Sequence, residues 1–548
     1  MRKILIAALL ASALSAGSAL AQSPGDYSSC NSIDIDADRR IAACGAVIDS
    51  TTAGDMERAL AYYNRAVSFE DKNDPERAQA DYDRSIAINQ KYAPAFNNRG
   101  TIRLNKNEDG LAFADFEEAI RLDPRLAIAV MNRGNYYTKQ NKLPEAIADY
   151  ERAIALDPRL ALAYTNYGNA LSKSGDQSAA LAQHDEALRR EPGLLLDYNN
   201  RAGAYRELGQ FDRALADLDK VLQIDPDNAR AIANRGVIYL EKGDTARATA
   251  DLRRALDIDP DYSFAIGNLG AISYQMGQLD EAIAYLNRAI ELDPRFGSAL
   301  ANRAIAYQRS GRFREAAADL SEAMRLGGES ELLLRRRASA YSRVEEFDAA
   351  IADYDSALKL NPQSGAVYTS LGEIYRQKES YDRAMAAYDK AVALGDDKTV
   401  FRSRAVANVI LGRYDAALVD LDRALVAEPS DAYVPLWIYL ARRKAGQEAG
   451  DALAPLDAKI DMTQWPVAVI RFFRGEIDAD AMRAAADIGP KDEIAGQICE
   501  AGFYLGQLRL IAGEAAAGQA AMQEAVASCP HAFYEYHIAK QELARTVR

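Results

Sequence analysis

The sequence predicts an all-α solenoid, in which stacked helical hairpins each bury an apolar face against their neighbours. One unit of 34 residues recurs eleven times between residues 59 and 431. A fixed period of this length with helical patterning is typical of helical repeat proteins. Proline marks the period in seven units: Pro124, Pro158, Pro192, Pro226, Pro260, Pro294 and Pro362. We therefore expect no single central core.

Each unit has the pattern of two antiparallel helices. In the third unit, Gly134 and Ala146 provide small surfaces where two helices can cross closely. Tyr150 and Ala153 continue an apolar stripe, and Pro158 ends the second helix. This pattern predicts a helical hairpin in every unit.

The fifteenth position of most units holds a residue that tolerates the left-handed backbone needed after a helix end. These residues are Asn73, Asn107, Asn141, Gly175, Gly209, Gly243, Gly277, Gly311 and Gly412. Glu345 and Glu379 depart from the rule. With the period and the small and apolar positions, the chain resembles the tetratricopeptide repeat (TPR) family over about two thirds of its length. The resemblance implies a right-handed superhelix of hairpins that acts as a binding scaffold and has no chemistry of its own.

Composition limits the partners that we expect. The chain is 49% hydrophobic and 27% charged, as in soluble proteins, with a formal net charge of −14 and a pI near 5.0. Nucleic-acid-binding domains need a basic surface and usually have a high pI. The composition therefore argues against nucleic acid as the general partner, and no later segment is apolar enough to span a membrane.

The first segment has the features of a secretion signal. Arg2 and Lys3 form a positive region, an apolar run follows, and Ala19-Leu20-Ala21 is an A-x-A cleavage site. We expect residues 1–21 to be removed and the mature protein to be periplasmic in a Gram-negative envelope. The alternative is an uncleaved inner-membrane anchor.

The four cysteines suit an oxidising compartment. Cys499 and Cys529 fall at the start of the first helix and the end of the second helix of one predicted hairpin, which antiparallel packing brings together. We expect disulfides between these two residues and between Cys30 and Cys44, each stabilising the fold by about 3 kcal/mol. The alternative is four buried thiols.

The two ends of the chain depart from the repeat. Within residues 22–58, the first part to Ile33 has few apolar residues and is expected to be a flexible lead, and 38–50 matches a second helix that caps the stack. Residues 432–548 are a degenerate TPR-like region. We expect 531–545 to form the closing helix.

The sixth position of each unit is the most informative. It holds asparagine in eight successive units: Asn64, Asn98, Asn132, Asn166, Asn200, Asn234, Asn268 and Asn302. Asparagine is a mediocre helix former, so helix propensity does not account for it. The column is similar to the asparagine ladder in the TPR region of O-GlcNAc transferase, a likeness that implies binding of an extended peptide through its main chain.

An asparagine amide can pair with both the C=O and the N–H of a peptide unit. We therefore predict peptide binding by the seven asparagines from Asn98 to Asn302. The alternative is that asparagine at this position only satisfies polar atoms within the stack.

Arginine follows the asparagine in many units, at Arg65, Arg99, Arg133, Arg201, Arg235, Arg303, Arg337 and Arg404. We expect these side chains to pair with aspartates of second helices and not with ligands.

A basic cluster begins where the asparagines end. We predict that Arg335, Arg336, Arg376 and Arg402, near Arg309 and Arg343, bind a carboxylate or a phosphate, because arginine suits both groups. The alternative is a solvated face neutralised by Glu331, Glu345 and Glu346.

The C-terminal region carries a second resemblance. Trp465-Pro466, CEAGFYLGQ at 499–507 and FYEYHIAKQEL at 533–543 resemble the C-terminal part of the new lipoprotein I family of periplasmic TPR proteins. The resemblance implies an adaptor that brings a processing protease to peptidoglycan hydrolases. This chain lacks the lipid-bearing cysteine, and its repeat array is longer.

No catalytic constellation is evident. The three histidines, His184, His531 and His537, do not have the spacing of a helical zinc site, and phosphate-loop and nucleophile motifs are missing. We expect no enzyme activity, cofactor or metal. The sequence favours an exported adaptor that binds peptides of envelope proteins in its groove and binds a second partner at its aromatic C-terminal surface. The alternative is that the protein is a structural subunit of an envelope assembly. Self-association is left open.

Overall fold

The computed structural model describes residues 26–32, 34–395, 399–450, 452–453 and 464–546. These residues form thirty helices and no strand. The chain divides into two compact units, Met1–Asn268 and Leu269–Arg548. The predicted signal, residues 1–21, lies outside the described residues.

The helices of the N-terminal unit begin with two that precede the repeats, followed by six hairpins. They are α1 (Asp26–Asn31), α2 (Ala37–Asp49), α3 (Asp55–Asp71), α4 (Pro75–Ile88), α5 (Ala93–Asn105), α6 (Asp109–Leu122), α7 (Ala127–Lys139), α8 (Leu143–Leu156), α9 (Ala161–Lys173), α10 (Gln177–Arg190), α11 (Leu195–Glu207), α12 (Phe211–Ile224), α13 (Ala229–Glu241) and α14 (Thr245–Ile258).

The division between the units falls within the next helix, α15 (Ser263–Gln275). The remaining repeat helices are α16 (Leu279–Leu292), α17 (Gly297–Arg309), α18 (Phe313–Gly327), α19 (Glu331–Arg343), α20 (Phe347–Leu360), α21 (Gly365–Gln377), α22 (Tyr381–Ala393), α23 (Val400–Ile410) and α24 (Tyr414–Ala427). The C-terminal helices are α25 (Tyr433–Lys444), α26 (Val467–Phe473), α27 (Ala479–Ala486), α28 (Lys491–Ile511), α29 (Ala515–Ser528) and α30 (Tyr534–Thr546). None of the described helices is long and apolar enough to cross a bilayer.

The third hairpin shows why the small residues recur. Ala146, Tyr150 and Ala153 of α8 are buried, as predicted. A Cβ atom at Gly134 would lie 2.7 Å from Tyr150 Cε1, closer than the packing allows. Glycine therefore lets α7 and α8 approach around the tyrosine ring.

The turns between the paired helices have the predicted left-handed backbone. Asn73, Asn107 and Asn141 have φ of 57°, 61° and 58°. Glu345 and Glu379, the two exceptions in the sequence, adopt the same conformation with φ of 60° and 57°. The hairpin geometry thus imposes this backbone on residues that do not favour it.

The arginine column pairs with second helices, which confirms the prediction. Each arginine bonds through two nitrogens to an aspartate sixteen residues later, at N–O distances of 2.6 to 3.0 Å. The pairs are Arg65–Asp81, Arg99–Asp115, Arg133–Asp149, Arg201–Asp217, Arg235–Asp251, Arg303–Asp319, Arg337–Asp353 and Arg404–Asp420. Several of these arginines also bond to the preceding second helix, as Arg201 does to Asp185 at 2.6 Å. One side chain can therefore join three helices.

The three units without this arginine also lack the aspartate. They have Tyr167 with Gln183, Leu269 with Tyr285, and Leu371 with Ala387 at the two positions. The charges therefore occur together or not at all, since an unpaired charge in this partly buried position would be costly.

The N-terminal lead is more ordered than the sequence predicts. Residues Asp26–Asn31 form α1, and Cys30 is buried with its sulfur 2.08 Å from that of Cys44 in α2. Asn64 also donates a hydrogen bond to Asn31 at 2.7 Å. The expectation of a flexible segment up to Ile33 was wrong for these six residues, because the cysteine pair and the first repeat hold them.

The C-terminal region ends with a helix that returns to the repeats. Cys499 and Cys529 join α28 to the end of α29, with sulfurs 1.98 Å apart. Both predicted cysteine pairs thus lie at disulfide distance, although Cys499 lies inside α28 and not at its start. The closing helix α30 then packs against the first helix of unit eleven, and its Lys540 pairs with Glu379 in the turn of unit ten.

Candidate functional site

The predicted peptide-binding asparagines all lie on first helices. Asn132 is buried and the others are half-buried: Asn98, Asn166, Asn200, Asn234, Asn268 and Asn302. Their shared position follows from the period, since one residue per repeat falls at the same place on each first helix. None of these amides is fully exposed.

Three of the asparagines connect adjacent first helices. Asn132 donates to Asn97 at 2.9 Å, Asn166 to Asn135 at 2.9 Å, and Asn200 to Asn169 at 2.8 Å. The acceptors were not singled out in the sequence, although Asn135 and Asn169 share the ninth position of their units. These bonds correspond to the alternative in which asparagine satisfies polar atoms of the stack.

The other members differ in how much of the amide is already bonded. Asn98 donates to Tyr82 Oη at 3.0 Å and accepts from Asn97 at 2.9 Å. Asn268 donates to the carbonyl of Phe264 at 2.8 Å. Within the described part of the chain, Asn234 and Asn302 have no side-chain hydrogen bond. Of the seven amides, these two therefore have the most unused hydrogen-bonding capacity.

The structure separates the four predicted anion-binding arginines into two pairs. Arg335 and Arg336 lie on α19 and are half-buried. Arg335 is 3.5 Å from Glu331, which fits the alternative of a neutralised face. Arg376 on α21 and Arg402 on α23 line one cavity in the C-terminal unit.

Arg376 and Arg402 already have partners within the chain. Arg376 is only 1% exposed and bonds to Glu373 and to the carbonyl of Ala532, each at 3.0 Å. Arg402 pairs with Asp431 at 2.6 Å. The segment before α30 thus covers Arg376, one of the four residues that the sequence assigned to a ligand.

The sequence also missed a buried polar contact between units four and five. His184 Nδ1 lies 2.9 Å from Asp197, which accepts a hydrogen bond from Thr165 at 2.7 Å. All three side chains are buried. The sequence does contain one sign of this contact: His184 occupies the position that holds an aromatic or leucine residue in the other units.

Comparison with known families matches three parts of the chain. Models described as Tetratricopeptide repeat and TPR repeat match residues 59–92 and 134–175. A model of the C-terminal domain of cilia and flagella-associated protein 70 matches residues 197–399.

Several solved structures are similar to the chain. The Cut9–Hcn1 hetero-tetramer of APC/C is 16% identical, with coverage of 88% of this chain and 96% of that chain and a TM-score of 0.46. YrrB, described as a TPR protein with an unusual peptide-binding site, is 26% identical over 34% of this chain and 95% of its own, with a TM-score of 0.29. A TPR protein from Parabacteroides merdae is 21% identical over 45% and 97% of the two chains, with a TM-score of 0.35.

The matched repeat models agree with the hairpins, the left-handed turns and the small residues at helix crossings. They describe a repeat scaffold and not a catalytic family. The chain belongs to the tetratricopeptide repeat family and is an all-α protein-binding scaffold.

Proposed function

We propose that the protein is an exported adaptor that binds extended peptide segments of envelope proteins along its first helices. One observation carries the proposal: asparagine occupies the same position, buried or half-buried, on successive first helices, and the amides of Asn234 and Asn302 are unbonded within the described residues. A free amide can donate to a peptide C=O and accept from its N–H. Binding of this kind would depend little on peptide sequence.

Export is part of the proposal and has its own support. The chain starts with a positively charged region, an apolar run and an A-x-A site. The two cysteine pairs at disulfide distance suit an oxidising compartment such as the periplasm.

The proposed process is recruitment of a protease or a cell-wall hydrolase. It rests on the resemblance of the C-terminal segments to the new lipoprotein I family. A scaffold that holds two partners raises their effective concentration without any reaction of its own. The aromatic C-terminal surface is the proposed second contact.

The experiment compares partner capture by three baits of the mature protein. The first is wild type, the second carries Asn234→Ala and Asn302→Ala, and the third carries Gln223→Ala. Gln223 is exposed on the second helix α12 and is the matched control. The adaptor proposal expects envelope proteins on wild type and Gln223→Ala, with loss from the asparagine variant.

Equal recovery on all three baits would contradict binding through the asparagine column. The second candidate, a structural subunit of an envelope assembly, predicts a different result. In that case the asparagine variant would keep its partners, and loss of a large native complex would follow changes at the second helices.

A further inference from the structure

A second cavity in the C-terminal unit has a volume of about 730 Å³. Its walls come from the start of α25, from α26, from the turn between α27 and α28, from the first half of α28, and from residues 530–533. The volume lies within the usual range of ligand pockets. None of the predicted peptide-binding asparagines lines the cavity, so it is separate from the proposed peptide surface.

Most of the wall is apolar. Val467 and Ala468 of α26 line the cavity, as do Ile488 and Pro490 of the turn before α28. Ile488 is 74% exposed, which is unusual for an isoleucine. Such a wall suits a hydrocarbon group, because covering it removes apolar surface from water.

One buried carboxylate lines this cavity. Glu500 is only 8% exposed. Its Oε2 accepts hydrogen bonds from Trp465 Nε1 at 2.7 Å and from Tyr433 Oη at 2.9 Å. Its Oε1 has no hydrogen-bond partner among the described residues and is not sealed from solvent. This oxygen is therefore an unused acceptor that a ligand can reach.

Glu500 also lacks a positively charged partner. No lysine, arginine or histidine in the described part of the chain forms an ion pair with it. Arg376 and Arg402 line the smaller cavity together with Glu500, but they pair with other acidic residues. Burial raises the pKa of Glu500, and burial and then the Glu500 charge raise the pKa of the neighbouring Glu535 to about 8. A cation beside Glu500 would offset the cost of burying its charge.

Three aromatic residues line the cavity with this carboxylate. The hydrogen bonds to Glu500 fix the polar ends of Trp465 and Tyr433. Phe533 lies against α28, where a Cβ atom at Gly496 would be 3.1 Å from Phe533 Cζ. Glycine at this position therefore leaves room for the ring. Aromatic rings attract cations and also cover hydrocarbon.

The other charged residues of the wall do not oppose a cation. Arg471 is exposed and pairs with Glu476 at 3.3 Å, and Glu493 is exposed on α28. The described lining residues thus carry two acidic groups and one arginine that already has a partner. The cavity therefore favours a positively charged ligand over a negatively charged one.

A primary ammonium fits this arrangement better than a guanidinium does. An ammonium is a compact charge that can donate to a single oxygen, whereas a guanidinium favours two parallel bonds to both oxygens of a carboxylate. Glu500 has only Oε1 free, because Oε2 is already bonded to Trp465 and Tyr433.

We propose that this cavity binds an alkylammonium group, with the ammonium on Glu500 Oε1 and the hydrocarbon stem against the apolar and aromatic wall. A lysine side chain of a partner protein and a free alkyl amine both supply this chemistry. In the lysine case the inference names the chemistry of the second contact proposed for the C-terminal region, and to that extent it rests on the proposed function.

The test follows the two tryptophans by fluorine NMR of the mature chain labelled with fluorotryptophan. Trp465 lines the cavity and bonds to Glu500, whereas Trp437 does not line it. The probes are n-pentylamine, pentanol and pentanoate, which have the same stem and differ in charge. At about pH 8 the amine is a cation. We expect a saturable shift of the Trp465 signal with the amine, which should bind at least about tenfold more tightly than the alcohol or the acid.

Variants assign the binding to the named groups. Glu500→Gln keeps the shape of the side chain and removes its charge, so it should weaken binding of the amine about tenfold or more and change binding of the alcohol less than about twofold. Glu524→Gln removes an exposed charge on α29 and is the matched control, which should leave both affinities unchanged. Ala495→Phe fills part of the cavity from an exposed position, so it should weaken binding of the amine and of the alcohol by similar factors.

A longer probe identifies the source of the amine. Tighter binding of Nα-acetyl-L-lysine methylamide than of n-pentylamine would indicate a lysine of a protein, and equal or weaker binding would indicate a free amine. The proposal is overturned if the alcohol or the acid binds as tightly as the amine, if no probe shifts the Trp465 signal, or if Glu500→Gln binds the amine as wild type does. Such a failure would leave the result of the asparagine baits, and with it the proposed peptide binding, unaffected.

Discussion

Removing one half of an arginine–aspartate pair should destabilise a single hairpin. In the fifth unit Arg201 bonds to Asp217 at 2.6 and 2.7 Å. The two side chains are 19% and 9% exposed. Asp217→Asn keeps the shape but removes the charge and one acceptor.

The expected cost lies between two known limits. An exposed ion pair contributes about 0.2–1 kcal/mol, and breaking a buried pair costs about 3–5 kcal/mol. This pair is mostly buried, but Arg201 keeps its bond to Asp185 at 2.6 Å. We therefore expect a loss of about 2 kcal/mol in the free energy of local opening.

Unit ten provides the matched control, since Leu371 and Ala387 replace the pair there. Arg201→Leu with Asp217→Ala copies that combination and leaves no buried charge. The free energy of local opening should fall by less than about 1 kcal/mol in the double variant.

Hydrogen exchange measured by mass spectrometry on peptides from α11 and α12 is the appropriate assay, because a repeat array need not unfold in one step. Two results would refute the reasoning. In the first, the free energy of local opening of Asp217→Asn lies within about 0.5 kcal/mol of the wild-type value; in the second, the double variant is as unstable as the single variant.

Three further predictions concern backbone, packing and pH. Gly134→Ala should lower the free energy of unfolding of its hairpin by about 1–3 kcal/mol, because the added Cβ would contact Tyr150. Gly203→Ala should instead stabilise α11 by up to about 1 kcal/mol, because no atom of another element lies within 4 Å of the added Cβ. Equal effects of the two variants on local hydrogen exchange would contradict this prediction. Glu345→Gly should stabilise its hairpin by about 1 kcal/mol, because φ is 60° there, and a loss of thermal stability would count against it. Because the folded-state pKa of Glu535 is raised to about 8, the unfolded chain loses this proton at lower pH than the folded chain does, so the stability of the C-terminal region should fall as pH rises from about 4.3 to 8. The fall should be smaller in the Glu535→Gln variant. The same pH dependence of urea unfolding in both proteins would contradict this prediction.

The repeat fold could be predicted because it depends on local, periodic features. The period fixes helix lengths, and the small residue at Gly134 and the turn residue at Asn141 each act within one hairpin. The arginine–aspartate pairs could also be predicted from the sequence, because their spacing is constant along the chain.

The C-terminal cavities could not be predicted in the same way. Arg376 bonds to Ala532, 156 residues later, and no period relates the two positions. Arg376 lies on the first helix α21, and a segment near the chain's own end covers it. Burial of Glu535, and with it the raised pKa, depends on the same long-range packing.

The asparagine column shows an intermediate case. Its position was evident from the sequence, but the bonds from Asn166 to Asn135 and from Asn200 to Asn169 depend on the offset between adjacent first helices. That offset follows from packing between repeats and not from residues in one unit.

Photo-crosslinking from single positions tests the adaptor account most directly. A benzophenone amino acid replaces either Asn234 on the first helix α13 or Gln223 on the second helix α12, and cross-linked envelope proteins are mapped by mass spectrometry. The account predicts cross-links from position 234 to one extended segment of a partner and few from position 223. Cross-links of equal yield from both positions, or from position 223 alone, would contradict peptide binding along the first helices.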